Sequence, residues 1–282
     1  MALKIPVENR VSTYPGRVTM TPVSGQANTY DMVRADMPLT EGTPIDKALL
    51  DNKAYALTED VTIYVSNSGN DISGDGSAQS PFATIQKAID ELPRYLDGHI
   101  ATISIGFGVY PERVEINGFC GGRLVVGQPG EVFTLDGIVI TNSSHVETNI
   151  YQIDRPDGSS LPPFVVKDGS SVSINSDLIL NGNDTNGIGM TVENNSRVVT
   201  GNNVKLTVND CGSVIIAQWC SLVSLSELSG SGNVFGVWAT QGSIISYKTD
   251  TLVKAWSHSA DSGGLVLTGA NSTTLSDATI EL

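Results

Sequence analysis

The pentapeptide SSVSI at residues 170–174 returns, with substitutions, as NSRVVT at 195–200, CSLVSL at 220–225, GSIISY at 242–247 and NSTTLS at 271–276. Each copy places a serine ahead of a short run in which apolar and polar residues alternate. Ser171, Ser196, Ser221, Ser243 and Ser272 stand 22 to 29 residues apart. Further short apolar runs lie between the copies: DLIL at 177, IGMTV at 188, NVKLTV at 203, SVIIA at 213, VFGVWA at 234, TLVKAW at 251 and GGLVLTG at 263. A repeat of near-constant length, with about three strands per period, predicts a β-solenoid whose coils bond only to the coils above and below. Stacked Val, Ile and Leu would fill its interior, with Ser, Thr and Asn on walls and turns. A β-sandwich is the competing architecture and needs hairpin turns, for which Asn117-Gly118 and Asn181-Gly182 are the candidates.

Working back from the repeats, SPFATIQKAIDELPRYLDGHIATISIGFGVYPERVEI (80–116) changes period halfway. Phe82, Ile85, Ala88, Ile89, Leu92 and Leu96 recur at helical spacing, and alternation begins at Ile100. Pro93 ends the helix near Leu92. The open end of a solenoid exposes unpaired backbone groups and apolar core, and an amphipathic helix laid over the first coil would cover it. Residues 61–100 are therefore read as a strand, a loop and a capping helix, and residues 101–282 as the solenoid.

Residues 1–60 differ from the rest. Prolines at 6, 15, 22, 38 and 44 favour an extended arm. One short helix is expected in TPIDKALLDNKAYAL, with Thr43 as N-cap and Pro44 at its first position. Too small to be stable alone, the arm is expected to dock on a partner or on its own oligomer.

Composition narrows the function. Sixteen Lys and Arg against thirty Asp and Glu give a net charge of −14, which disfavours nucleic acid and anionic membranes as partners. No apolar run is long enough to span a bilayer. The opening MALKIPVENR has no apolar signal-peptide core, so synthesis in a bacterial cytoplasm without a secretion signal is expected. Cys120, Cys211 and Cys220 form no CxxC; they read as packed thiols, with one disulfide also open.

The stretch TIYVSNSGNDISGDGSAQSPFATIQKAIDELP, followed by ATISIGFGVYPERVEI, resembles the first coil of right-handed parallel β-helices of the pectin-lyase-like superfamily. That resemblance covers residues 62–116 and implies the fold, not the activity. The superfamily holds pectin esterases, polysaccharide lyases, glycoside hydrolases and phage tailspikes. A second resemblance covers residues 9–54, where PGRV and RADMPLTEGTP are similar to the N-terminal segment of tail fibre and appendage proteins of phages and prophages. It implies attachment of residues 1–60 to phage tail or baseplate proteins, a virion location and an outward-pointing β-helix, which the architecture itself predicts to be a homotrimer, contacting host cell-surface polysaccharide.

Candidate chemistry is sparse. The resemblance to esterases would require two aspartates, glutamines and an arginine in a GTVDFIFG-like strand, whereas GQPGEVFTLDGIVIT (127–141) has Asp136 as its one Asp. Asp184 in GNDTNGI and Asp210 in VNDCGSV fall in similar places of successive repeats. If stacked, they could share a proton as an acid and its partner, although Asn and Asp are also the ordinary residues of solenoid turns. A lyase would want Arg197 or Lys205 beside acidic ligands, and no such cluster is evident. Asp71, Ser73 and Asp75 alternate as in Ca²⁺ loops but lack the bidentate Glu, and His99, His145 and His258 lack zinc spacing. No metal and no cofactor is expected. Trp219, Trp238 and Trp256 read either as packing residues or as platforms for sugar rings. The expected function is a non-enzymatic phage tail appendage that binds host glycan; the alternative is a tailspike depolymerase on the same β-helix.

Overall fold

The computed structural model describes residues 11–12, 18–22, 24, 30–34, 38–40, 56–156, 159, 161–249, 259–268 and 279–281. The chain divides into two units, Ala2–Ala54 and Tyr55–Leu282. In the first, β1 (Val11–Ser12), β2 (Val18–Pro22), β3 (Tyr30–Arg34) and β4 (Pro38–Thr40) form two antiparallel pairs. β2 runs against β3 with Met20 opposite Met32, and β1 runs against β4 with Val11 opposite Thr40. The helix expected to start at Thr43 lies outside the described residues.

The second unit is a parallel β-solenoid. In chain order it comprises β5 (Val61–Val65), α1 (Ile85–Asp90), β6 (Ile100–Ile105), β7 (Gly108–Asn117), β8 (Arg123–Val126), β9 (Phe133–Thr141) and β10 (Val146–Thr148). It continues through β11 (Gln152–Asp154), β12 (Phe164–Lys167), β13 (Ser171–Ile174), β14 (Leu178–Val192), β15 (Arg197–Thr200), β16 (Lys205–Ala217) and β17 (Leu222–Ser229). The last strands are β18 (Phe235–Ala239), β19 (Ile244–Thr249), β20 (Ser259–Ala260), β21 (Leu265–Thr268) and β22 (Thr279–Glu281).

Three walls result. The first stacks β5, β6, β8, β10, β13, β15, β17, β19 and β21 in parallel register. One inward column runs Ala101, Leu124, Val146, Val172, Val198, Val223, Ile245 and Val266, all buried. The start of β7, β9 and β14 stacks with β11 and with the start of β16 in the second wall, whose inward column is Tyr110, Leu135, Ile153, Leu180 and Val208. The later parts of β7, β9, β14 and β16 stack with β12, β18 and β20 in the third, over Ile116, Ile140, Val166, Val192, Ala217 and Ala239. Burying each aliphatic side chain in these columns contributes about 1.5–3 kcal/mol. Asn117 ends β7 and Asn181-Gly182 lies inside β14, and both strands pair in parallel with neighbouring coils, so neither dipeptide makes the hairpin a sandwich would require.

A described element meets the stack at each end. α1 buries Ile85, Ala88 and Ile89. Its N-terminus is satisfied three ways: the Thr84 hydroxyl accepts from Lys87 N at 3.2 Å, Glu112 accepts from Ile85 N and Gln86 N at 2.7 and 2.9 Å, and Asp71 accepts from Ala83 N and Thr84 N. At the far end β22 pairs antiparallel with β21, closing an edge that would otherwise present unpaired backbone groups.

The serine repeat is a corner device. Ser143, Ser170, Ser196, Ser221 and Ser243 are all buried where the third wall turns back to the first. This corrects the sequence reading at one member: Ser170, not Ser171, belongs to the stack, because Ser171 is already in β13, opposite Arg197. Ser143 extends the row by one coil, and Ser272 lies outside the described residues.

Candidate functional site

Outward-facing positions on the third wall carry Val139, Val165, Thr191, Ile216 and Trp238 in successive coils. The row continues to Ser259 in β20, and in β18 strict alternation breaks. Gly236 and Val237 are both buried, so Phe235 and Trp238, on either side of them, both stay exposed, at 58% and 40%. A cleft of about 280 Å³ here is lined by Ser213, Phe235, Gly236, Val237, Trp238 and Ser259. Two aromatic side chains with two serines nearby suit a ligand with apolar faces and hydroxyl edges, which is the chemistry of a sugar ring. Trp238 was legible as a candidate. Phe235 stood in the same hexapeptide, and what marks it is the interrupted alternation beside Gly236.

Trp219 sits elsewhere, on the corner between the third and first walls, 44% exposed. Ile216, three residues before it, lies opposite Trp238. Trp219 is therefore one coil down from Trp238 and past the end of its strand, around the corner. Trp256 and His258 lie outside the described residues.

The aspartates are arranged differently from the expected stack. Asp184 lies opposite Cys211, not Asp210, because β14 spends one more residue than β16 between Asn181, which faces Asn209, and this point. Asp210 is exposed, with φ 53, and its carboxylate packs against Gly232. Asp136 and Asp154 do stack, each following an aligned pair, Leu135 and Ile153. Asp154 accepts from Gln152 Nε2 at 2.8 and 2.7 Å and from Asn181 Nδ2 at 2.6 Å. The row continues as Asn209 Nδ2 donating to Asn181 Oδ1 at 3.0 Å. Burial, with the Asp154 charge beside it, lifts the Asp136 carboxyl above its ordinary range. Glu112 is lifted mainly by burial, and burial lowers Arg113, whose Nη2 donates to Pro162 O at 2.8 Å. The signal for Asp154 was an acid following an inward apolar residue, as in LD at 135 and ID at 153, but at a spacing shorter than the serine repeat.

The loop at 71–76 uses its carboxylates on backbone. Asp71 bonds to residues 83 and 84, and Asp75 Oδ1 accepts from Ser77 N at 2.9 Å. Among the described residues no group of three or more His, Cys, Asp or Glu side chains is placed to hold a metal ion. His99 and His145 lie 3.4 and 3.5 Å from Asp60 and Glu147. Arg197 is exposed, while Lys205 N donates to Asp177 Oδ1. Cys120 and Cys220 are exposed thiols, and buried Cys211 donates from Sγ to Asn209 O. Compared with known proteins, the chain matches no family model, no curated protein and no solved structure.

Proposed function

We propose that the chain is a phage tail appendage whose solenoid binds host surface glycan through the third wall. The exposed Phe235–Trp238 cleft is the observation that carries this reading, since two exposed aromatic side chains beside serines on one wall suit the faces and hydroxyl edges of a sugar ring. The likeness of residues 9–54 to tail-attachment segments supports assigning the separate first unit to the tail. Three solenoids about one axis, a virion location and attachment to tail or baseplate proteins belong to the same proposal.

Cleavage of that glycan is the second reading, and one observation favours it. Asp136 and Asp154 occupy adjacent coils, about 4.8 Å apart along the stack, and burial with a second carboxylate beside it raises the Asp136 carboxyl, as suits the acid of a carboxyl pair. Incubating the protein with host surface polysaccharide and sizing the polymer tests both readings. Retention of full-length polymer, abolished by Trp238→Ala, is the expected result. Shortened polymer, lost on Asp136→Asn, makes it a depolymerase, and absence of both sinks the glycan reading.

A further inference from the structure

Five corners between the third and first walls share one backbone design, while the corner at Ser143 has Asn142 alone in the left-handed region. Two successive residues adopt the left-handed region ahead of each corner: Asp168 and Gly169 (φ 60 and 73), Asn194 and Asn195 (56 and 59), Trp219 and Cys220 (56 and 59), Gln241 and Gly242 (53 and 77), Ser262 and Gly263 (48 and 82). Four of the five corners use small or amide-bearing residues, which tolerate this conformation best. The fifth uses Trp and Cys, each at a cost of roughly 1–2 kcal/mol.

The backbone there gains nothing in exchange. Asn195 N donates to Trp219 O at 2.8 Å and Cys220 N to Gln241 O at 3.0 Å, much as Gly169 N donates to Asn194 O at 2.9 Å a coil earlier. Nor is the strain offset by full burial, because the indole is 44% exposed. What distinguishes this corner is the side chain it displays, and strained positions that persist are found where they serve a function.

Polar groups flank the indole on the coils about 4.8 Å to either side. One coil below, Asn194 Nδ2 donates to Asp168 Oδ1 of the coil beneath it at 2.7 Å, and on the indole's own coil Gln218 Nε2 donates down to Glu193 Oε1 at 2.9 Å. Above it stands Gln241. Asp168 and Glu193 are set against Lys167 and Arg197, so the ridge has no local excess of positive charge to collect an anion, in a chain of net charge −14. An aromatic face bordered by amides and carboxylates, with no cationic field, fits an uncharged sugar.

We propose that Trp219 is the stacking platform of a second sugar subsite. A neutral oligosaccharide would run from the Phe235–Trp238 cleft past Ile216 to this ridge. The inference rests on the glycan-binding reading above. The test is calorimetric titration of the full-length protein, wild type and Trp219→Asn, with neutral hexose and N-acetylhexosamine oligomers and with a uronate oligomer as the anionic control. Expected is binding of the neutral oligomers by wild type, with affinity for the longer ones lowered about tenfold in Trp219→Asn, the scale of losing one buried aromatic face. Asn restores the residue used at 194, so the variant should fold at least as well as wild type.

If wild type binds neutral oligomers and Trp219→Asn binds the longer ones equally well, the subsite is overturned and the glycan reading stands. Preference for the uronate overturns the neutral class. If wild type binds no oligomer, both readings fall. A smaller sedimentation mass for Trp219→Asn than for wild type assigns the indole to contact between copies and overturns the proposal.

Discussion

The backbone N–H of Ser143 donates to the Oγ of Ser170 at 3.2 Å, and the same bond climbs the corner coil by coil. Ser170 N donates to Ser196 Oγ at 3.2 Å, Ser196 N to Ser221 Oγ at 3.3 Å and Ser221 N to Ser243 Oγ at 3.0 Å. A buried corner cannot use water to satisfy its backbone, so a hydroxyl borrowed from the next coil takes that place.

Ser170→Ala removes the acceptor for Ser143 N and the donor that bonds Lys167 O at 2.7 Å. A buried group left without its partner costs about 1–3 kcal/mol. Denaturant unfolding should show a loss in that range, while Ser171→Ala, one residue on, should change stability by less than about 0.5 kcal/mol. Equal effects would mean that the row does not stabilise the corner.

Cys220 occupies the turn position that Gly169 and Gly242 hold in neighbouring corners, at φ 59. Cys220→Gly relieves the left-handed penalty and loses some of that gain to the greater freedom of the unfolded chain. A net gain of about 0.5–1 kcal/mol in chemical unfolding is expected. A loss would show that the thiol packs favourably despite its exposure.

Asp136 and Glu112 hold protons more tightly when folded, being raised above 3.8 and 4.5 chiefly by burial. A raised carboxyl binds more protons in the folded than in the unfolded state, so its contribution is most favourable below the ordinary value. It then declines as pH rises through the folded one. Asp136→Asn should therefore flatten the fall in stability as pH rises above about 4, the ordinary carboxyl value, read from melting temperatures over a pH series. An unchanged slope would place the titration elsewhere.

Ile89 is wholly buried between α1 and the first coil. Ile89→Ala should cost about 2–5 kcal/mol. Amide exchange should rise first in β6 and β7, on which the helix packs. Uniform acceleration along all coils would mean that the stack unfolds as one unit.

Sequence alone determined the solenoid and its lid. Both rest on periodicity, which is set by local geometry: alternation puts Val172, Val198 and Val223 inward, and helical spacing puts Ile85, Ala88 and Ile89 on one face. Tertiary structure decided which residues meet between coils, because stacking depends on how many residues each turn consumes. One residue of difference between β14 and β16 sets Asp184 opposite Cys211, and a short coil brings Asp154 over Asp136. One residue likewise made Ser170 the ladder member in place of Ser171. The aromatic sites needed the fold for a related reason. Phe235 is exposed because alternation breaks at Gly236, and the left-handed strain at Trp219 is a property of its corner that no residue spacing encodes.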